Sequence, residues 1–85
     1  MIKIRLARYG VKKKPFYKII VADIRSARNG KFIENIGYFN PFAGKNEEKV
    51  FFYTKKVQYW LQKGAKKSDR IKKLLNQYNK KNHSY

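Results

Sequence analysis

Ile2, Ile4 and Leu6 alternate with Lys3 and Arg5, a period of two that fits a strand with one face in a core and the other in water. The chain therefore begins with a sheet whose outer face carries cations. Gly10 ends the run, and Lys12-Lys13-Lys14-Pro15 reads as a basic loop; Pro15 cannot donate to a ladder and marks a strand boundary. From Phe16 to Asp23 the chain is rich in β-branched and aromatic residues. Tyr17, Ile19 and Val21 share one face while Ile20 and Ala22 are apolar on the other, so this strand is expected to be central and covered on both sides. Asn29-Gly30 signals a hairpin turn, because both residues tolerate positive φ, and Phe32 to Phe39 is expected to return antiparallel.

After Asn40-Pro41 the pattern changes. Residues 42–48 read as an exposed loop and Val50 to Tyr53 as a short fourth strand. Thr54 is expected to cap a helix over Lys55 to Lys63, with Val57, Trp60 and Leu61 on one face and Gly64 as its stop. Ser68 is expected to cap a second helix, with Asp69 at its positive end and Ile71, Leu74, Leu75 and Tyr78 as its apolar stripe. Phe16, Tyr17, Phe32 and Trp60 are assigned to the core. Strands first and helices last make the fold α+β. One domain is expected over residues 1–78; residues 79–85 lack periodicity and read as a flexible polar tail.

The charge constrains the partner. Among 85 residues there are 22 Lys+Arg and 5 Asp+Glu, a formal net charge of +17. Self-repulsion on that scale opposes a compact state unless a polyanion neutralises it. A membrane binder would be expected to carry a spanning run or a long amphipathic helix, whereas the longest apolar run is Ile19-Ile20-Val21-Ala22. Nucleic acid is the favoured partner. With 42% hydrophobic and 16% aromatic residues the chain has a core and is no disordered basic tail. It has no cysteine, hence no disulfide, no thiolate metal site and no cysteine nucleophile.

Catalytic chemistry has little to work with. The single histidine, His83, lies in the expected tail, where nothing rigid orients it. Of the five carboxylates, Glu47 and Glu48 adjoin in a loop, while Asp23 and Glu34 sit on hairpin arms, within reach of each other across the ladder, and among so many cations each is expected to pair with Arg or Lys. A metal-dependent nuclease needs several converging carboxylates; no such pattern exists. The sequence reads as that of a binding protein with no enzymatic activity, cofactor, metal or small-molecule substrate.

The cations are unevenly spread. Ten of the 22 fall within the first 31 residues, with four of the five arginines and only Asp23 among carboxylates. Lys3, Arg5, Arg8, Lys12, Lys13, Lys14, Arg25, Arg28 and Lys31 are accordingly assigned to phosphate contact, arginine's planar fork suiting bidentate phosphate binding. Lys66, Lys67 and Arg70, at the start of the second helix, join the set, although that helix's cations read equally well as a solvated face. Tyr9 and Tyr38 are the candidates for stacking on RNA bases.

These segments together resemble a known family. Leu6-Ala7-Arg8-Tyr9-Gly10, then Lys13-Lys14-Pro15-Phe16-Tyr17-Lys18-Ile19-Ile20-Val21-Ala22-Asp23, resembles the start of bacterial small-subunit ribosomal protein S16. The likeness continues through Arg25, Arg28 to Glu34, Gly37 and Asn40-Pro41, and resumes at Trp60 to Ala65 and Ser68-Asp69. It spans roughly the first 75 positions, with the loop and fourth strand matching loosely. The resemblance implies a small mixed sheet of about four to five strands with two C-terminal helices packed on it. It also implies a structural constituent of the ribosome that binds 16S rRNA at its 5′ domain and the junction with the central domain, supporting small-subunit assembly and translation. Such a protein is a monomer within the ribosome, beside neighbouring small-subunit proteins, in the cytoplasm or, if organelle-encoded, the plastid stroma. Asn29 replaces the Asp common before the turn glycine, and Lys66-Lys67 stands where proline is common before the cap; the tail is not a family signature. Frequent Lys, Asn, Ile and Tyr point to an AT-rich genome, bacterial or plastid.

Overall fold

A computed structural model describes residues 1–25, 32–44 and 49–82. The expected hairpin turn at Asn29-Gly30, the residues Arg28 and Lys31, and His83 lie outside the described residues. Strands β1 (Ile2–Val11), β2 (Lys14–Asp23), β3 (Glu34–Phe39) and β4 (Val50–Phe52) form an antiparallel meander. Helix α1 (Thr54–Gln62) then leads to a two-residue strand β5 (Lys66–Lys67), and helix α2 (Asp69–Asn82) follows. The sheet order is β4-β3-β2-β1-β5, with β5 parallel to β1, so the fold is α+β with a mixed sheet of five strands.

Ladder register fixes which side chains share a face. Ile4, Leu6, Ile19, Val21, Phe39, Val50 and Phe52 point to the helices, where Val57, Ile71, Leu74, Leu75 and Tyr78 complete the core. The opposite sheet face carries no helix. Ile20 and Ala22 are nevertheless buried on it, at 2% and 1% exposure, so the expected two-sided covering of β2 holds without a second helical layer. At Ile19/Ile20 the β2–β3 register shifts, because Ile36 has no partner across the ladder. This bulge turns Ile36 into the core at 0% exposure, and on the β4 side its carbonyl accepts the Tyr53 N–H at 2.9 Å, one step beyond the Gly37↔Phe52 pair. The next residue, Gly37, must be glycine for a steric reason: a Cβ there would fall on the Phe51 carbonyl oxygen.

Several boundaries differ from expectation. β1 runs through Gly10 to Val11, and Lys12-Lys13 form the turn while Lys14 and Pro15 already belong to β2. Pro15 is tolerated because β3 pairs with β2 only from Tyr17 onward, leaving that side of Pro15 without a ladder. Thr54 is the first residue of α1, not its cap; the capping position is Tyr53, which makes no side-chain cap bond. The expected stop is correct: Gly64 has φ +89°, and Gly64 N–H and Ala65 N–H bond the Leu61 and Trp60 carbonyls, a Schellman end. Ser68 caps α2 as expected, its Oγ accepting from Ile71 N–H at 3.2 Å. α2 continues to Asn82, past the boundary expected at residue 78. Leu74, Leu75 and Tyr78 anchor the preceding turns, and each further residue adds a hydrogen bond to an existing helix.

Two core assignments also change. Phe32 is 37% exposed ahead of β3. Phe16 is half-buried on the helix-free face, because it is one residue out of phase with core-facing Tyr17, and its ring stacks on Tyr38 at 5.9 Å. Tyr17 and Trp60 are half-buried against the core cluster, close to what the sequence suggests. No helix of the described residues is long and apolar enough to cross a membrane.

Candidate nucleic-acid interface

The helix-free face of the sheet gathers the largest share of the expected site. Cross-strand pairs Lys3↔Ala22, Arg5↔Ile20, Ala7↔Lys18 and Tyr9↔Phe16 put Lys3, Arg5, Tyr9, Lys14 and Lys18 on one surface. Lys66, beside Lys3 across the parallel β1–β5 pair, joins it. Two lysines side by side on neighbouring strands repel each other. Such a pair is stabilised by an anion laid across both.

Aromatic rings run through this surface. Phe16, Tyr38 and Phe51 stack in sequence across β2, β3 and β4, with centroids 5.9 and 5.6 Å apart. The Lys18 ammonium sits 4.5 Å from the centre of the Tyr9 ring, a cation–π contact that holds the ring at the rim at 38% exposure. Cations beside partly exposed rings match RNA, whose phosphates take the charge and whose unpaired bases take the rings.

The described carboxylates are elsewhere. Asp23 accepts both the Arg25 backbone N–H, at 3.0 Å, and its guanidinium, at 3.2 Å. Those bonds from Arg25, side chain first and backbone second, hold the Asp23 carboxyl below its ordinary value, and Arg25 is held above its own by the same contact. Glu34 faces the helical layer, where it accepts from the Trp60 indole at 2.8 Å and pairs with Lys56 at 3.6 Å. Both carboxylates thus pair as the sequence suggests. They do not meet: Glu34 lies opposite Val21, while Asp23 lies opposite Ile2. Among the described residues no three His, Cys, Asp or Glu converge as a metal site.

The remaining expected residues divide. Lys12 and Lys13 stand exposed at the tip of the β1–β2 hairpin. Arg25 lies beyond the other end of β2, some ten residues of strand away, roughly 30 Å at the usual rise. Arg8 is not with Arg5: it pairs with core-facing Tyr17, points to the helical layer, and its guanidinium donates to the Lys12 carbonyl at 3.0 Å. Lys67 also lies on the helical side, opposite Ile4, and Arg70 places its guanidinium 5.5 Å from the Phe39 ring centre. Tyr38 is a stacking candidate from the sequence, but Lys18, Phe16 and Phe51 are not in the sequence-derived set; strand parity along β2 carries the signal for Lys18 and Phe16.

Comparison with known proteins settles the family. The family described as ribosomal protein S16 matches residues 8–68. This chain belongs to the ribosomal protein S16 family. A small ribosomal subunit protein bS16 from Buchnera aphidicola subsp. Cinara cedri is 69% identical over 80 residues, covering 94% of this chain and 91% of that protein. The protein of that name from Buchnera aphidicola subsp. Acyrthosiphon pisum is 53% identical over 77 residues, covering 91% and 98%. That of Wigglesworthia glossinidia brevipalpis is 50% identical over 80 residues, covering 94% and 100%. The S16 match spans β1 from Arg8 through the whole of β5 to the cap Ser68, so it includes the β1–β2 hairpin, the bulge and the whole of α1.

Proposed function

We propose that this S16-family chain is a structural constituent of the small ribosomal subunit that binds 16S rRNA at its 5′ domain and the junction with the central domain. Its place of action is the cytoplasmic ribosome, in keeping with the bacterial relatives named small ribosomal subunit protein. One observation supports RNA as the ligand above all: Lys3, Arg5, Lys18 and Lys66 share the helix-free face with partly exposed rings, and no described carboxylate shares it. The hairpin tip, Lys12 to Lys14, extends that surface, with Tyr9 and Tyr38 as stacking residues. Arg25 contributes once Asp23 releases it. Arg8, Arg28, Lys31, Lys67 and Arg70 are retained as further rRNA contacts, Arg8, Lys67 and Arg70 reaching RNA from the helical side. The chain works as a monomer among neighbouring small-subunit proteins, without enzymatic activity; residues 1–78 are the binding domain.

Binding is chiefly electrostatic, so log K falls by about 0.7–0.9 per phosphate contacted as log salt rises. The test uses the full chain and a 16S rRNA transcript. Replacing Lys3, Arg5 and Lys66 with Ala is expected to lower that slope by two to three phosphates, at about 0.7–0.9 each. An unchanged slope refutes the helix-free face as the contact. Failure of the wild-type chain to co-sediment with small subunits refutes the ribosomal role.

A further inference from the structure

A second cationic feature lies on the helical layer, away from the helix-free face. Arg70, Lys73 and Gln77 are spaced i, i+3 and i+7 on α2, which puts them on one helix face. Together with Lys49, at the entrance to β4, they line a hollow of about 270 Å³ whose floor is Phe39 and Leu74. Two other hollows, of about 450 and 410 Å³, are lined mainly by aromatic residues and by Lys55 and Lys56. The smaller one is the most strongly cationic: three of its six lining residues are Lys or Arg and none is acidic.

Local chemistry explains why cations stand there. Phe39 is buried in the core cluster at 6% exposure, and the Arg70 guanidinium covers its ring at 5.5 Å. A guanidinium over an aromatic ring spends its flat face on the ring and keeps its N–H groups at the edge, available in the ring-parallel plane. The described ion pairs are Met1 and Arg25 with Asp23, and Lys56 with Glu34; Arg70, Lys73 and Lys49 take part in none of them. Asp69 begins the same helix but makes no ion pair with Lys73, and Glu47 and Glu48 lie outside the described residues. Three cations converge on a small concave space without a described counter-ion. The hollow falls below the usual 300–1,000 Å³ of small-molecule sites, which suits one backbone phosphate rather than a free metabolite.

We propose that Lys49, Arg70 and Lys73, with Gln77 as an added hydrogen-bond donor, form a second and separate site for an RNA backbone phosphate on the helical layer. The inference rests on the reading of the chain as an rRNA-binding protein and adds a contact on the opposite side from the helix-free face. Lys49 and Gln77 are not among the residues considered from sequence, while Lys73 is one of the second helix's cations that read equally well as RNA contact or solvated face. The signal for Lys49 is tertiary, since it is more than twenty residues from its companions, which share one face of α2.

The test measures binding of the full chain to a 16S rRNA transcript across a salt series. Lys49→Ala with Lys73→Ala leaves the Arg70–Phe39 contact intact and is expected to lower the slope of log K against log salt by about 0.7–0.9, one phosphate. At 0.1 M salt that corresponds to binding about 5- to 8-fold weaker. Thermal unfolding of the free double variant should stay at the wild-type midpoint or rise, because two like charges are gone. Arg70→Ala is expected to lower the slope as well. A wild-type slope in both variants overturns the site, and a lowered midpoint with an unchanged slope assigns these residues to packing. If the wild-type chain itself binds 16S rRNA no better than it binds heparin, the underlying reading fails instead.

Discussion

Replacing Gly37 by Ala separates two reasons for a glycine within one small fold. A Cβ at Gly37 meets the Phe51 carbonyl oxygen far inside contact distance, and it lies 3.2 Å from both Phe52 Cα and Ile19 Cδ1. The obstacle is backbone, so no rotamer change relieves it. β4 is fixed there by the pairs Gly37↔Phe52, Tyr38↔Phe51 and Phe39↔Val50, and it must back off by on the order of 1 Å to restore an ordinary contact. That movement withdraws Phe52, 1% exposed, from the core. Overpacking costs typically about 1–3 kcal/mol, and a backbone-to-backbone collision belongs at the upper end. At about 4–8 °C per kcal/mol for a domain of this size, a cost of about 2–3 kcal/mol lowers the melting midpoint by roughly 8–24 °C. Gly64→Ala is the comparison. Nothing lies within 4 Å of its added Cβ, but φ is +89°, so it suffers only the left-handed penalty of about 1–2 kcal/mol, partly offset by a less flexible unfolded chain. Gly64→Asn should recover part of that loss, since Asn tolerates this region; Gly37→Asn should recover nothing. Thermal melts followed by circular dichroism decide it. If Gly37→Ala melts at or above Gly64→Ala, the steric account of the β3–β4 approach is wrong.

Two further perturbations follow from the paired carboxylates. Glu34→Ala strands the half-buried Trp60 indole N–H and should cost about 1–2 kcal/mol, whereas Glu34→Gln keeps an acceptor and loses only the exposed Lys56 pair, worth about 0–1 kcal/mol. Trp60 is the single tryptophan, so its fluorescence follows unfolding directly, and equal losses in both variants would assign the effect to the ion pair. Asp23 is held below its ordinary value of 3.8 by Arg25, so its contribution is present above that pH and is lost as pH falls through the lower folded value. Asp23→Asn should therefore narrow the difference in urea midpoint between pH 6 and pH 3, and an unchanged difference refutes the Arg25 contact as a source of stability.

Much of the fold is legible because its signals are local. The alternation of Ile2, Ile4 and Leu6 with Lys3 and Arg5 gives the strand, its faces and its cations together, and Gly64 and Ser68 mark helix ends through their own backbone or side chain. Long-range features are not legible. Lys66-Lys67 is too short to show a period and becomes a strand only because β1 offers an open edge. Ile36 reads as outward-facing by parity from Phe39, and the bulge reverses it. For the candidate interface, residue types were readable but their grouping was not. Arg5 and Arg8 sit three residues apart and so on opposite faces of one strand. Sequence proximity merged them, while the period of two already separated them.

That separation changes what the charge can do. Cations on a single face could be neutralised by one RNA helix, leaving the helical layer in water. Here Lys3, Arg5, Lys18 and Lys66 occupy one side, while Arg8, Lys67 and Arg70 occupy the other. Across a body only 18 Å in its thin dimension, the two sets lie within about two Debye lengths at physiological salt, so they still repel one another weakly. An anion bound on one side relieves repulsion among the protein's cations, but it also lowers the positive potential at the other side, which disfavours a second, separate anion there. The coupling is reciprocal, so RNA held by the helix-free face should slightly weaken the binding of a separate phosphate at Arg70 and Lys73. The free protein carries the unrelieved repulsion of a +17 chain, and ligand that binds only the folded state adds about 2.7 kcal/mol of stability at a hundred times its dissociation constant. On this argument the fold reaches its full stability only with polyanion on both layers.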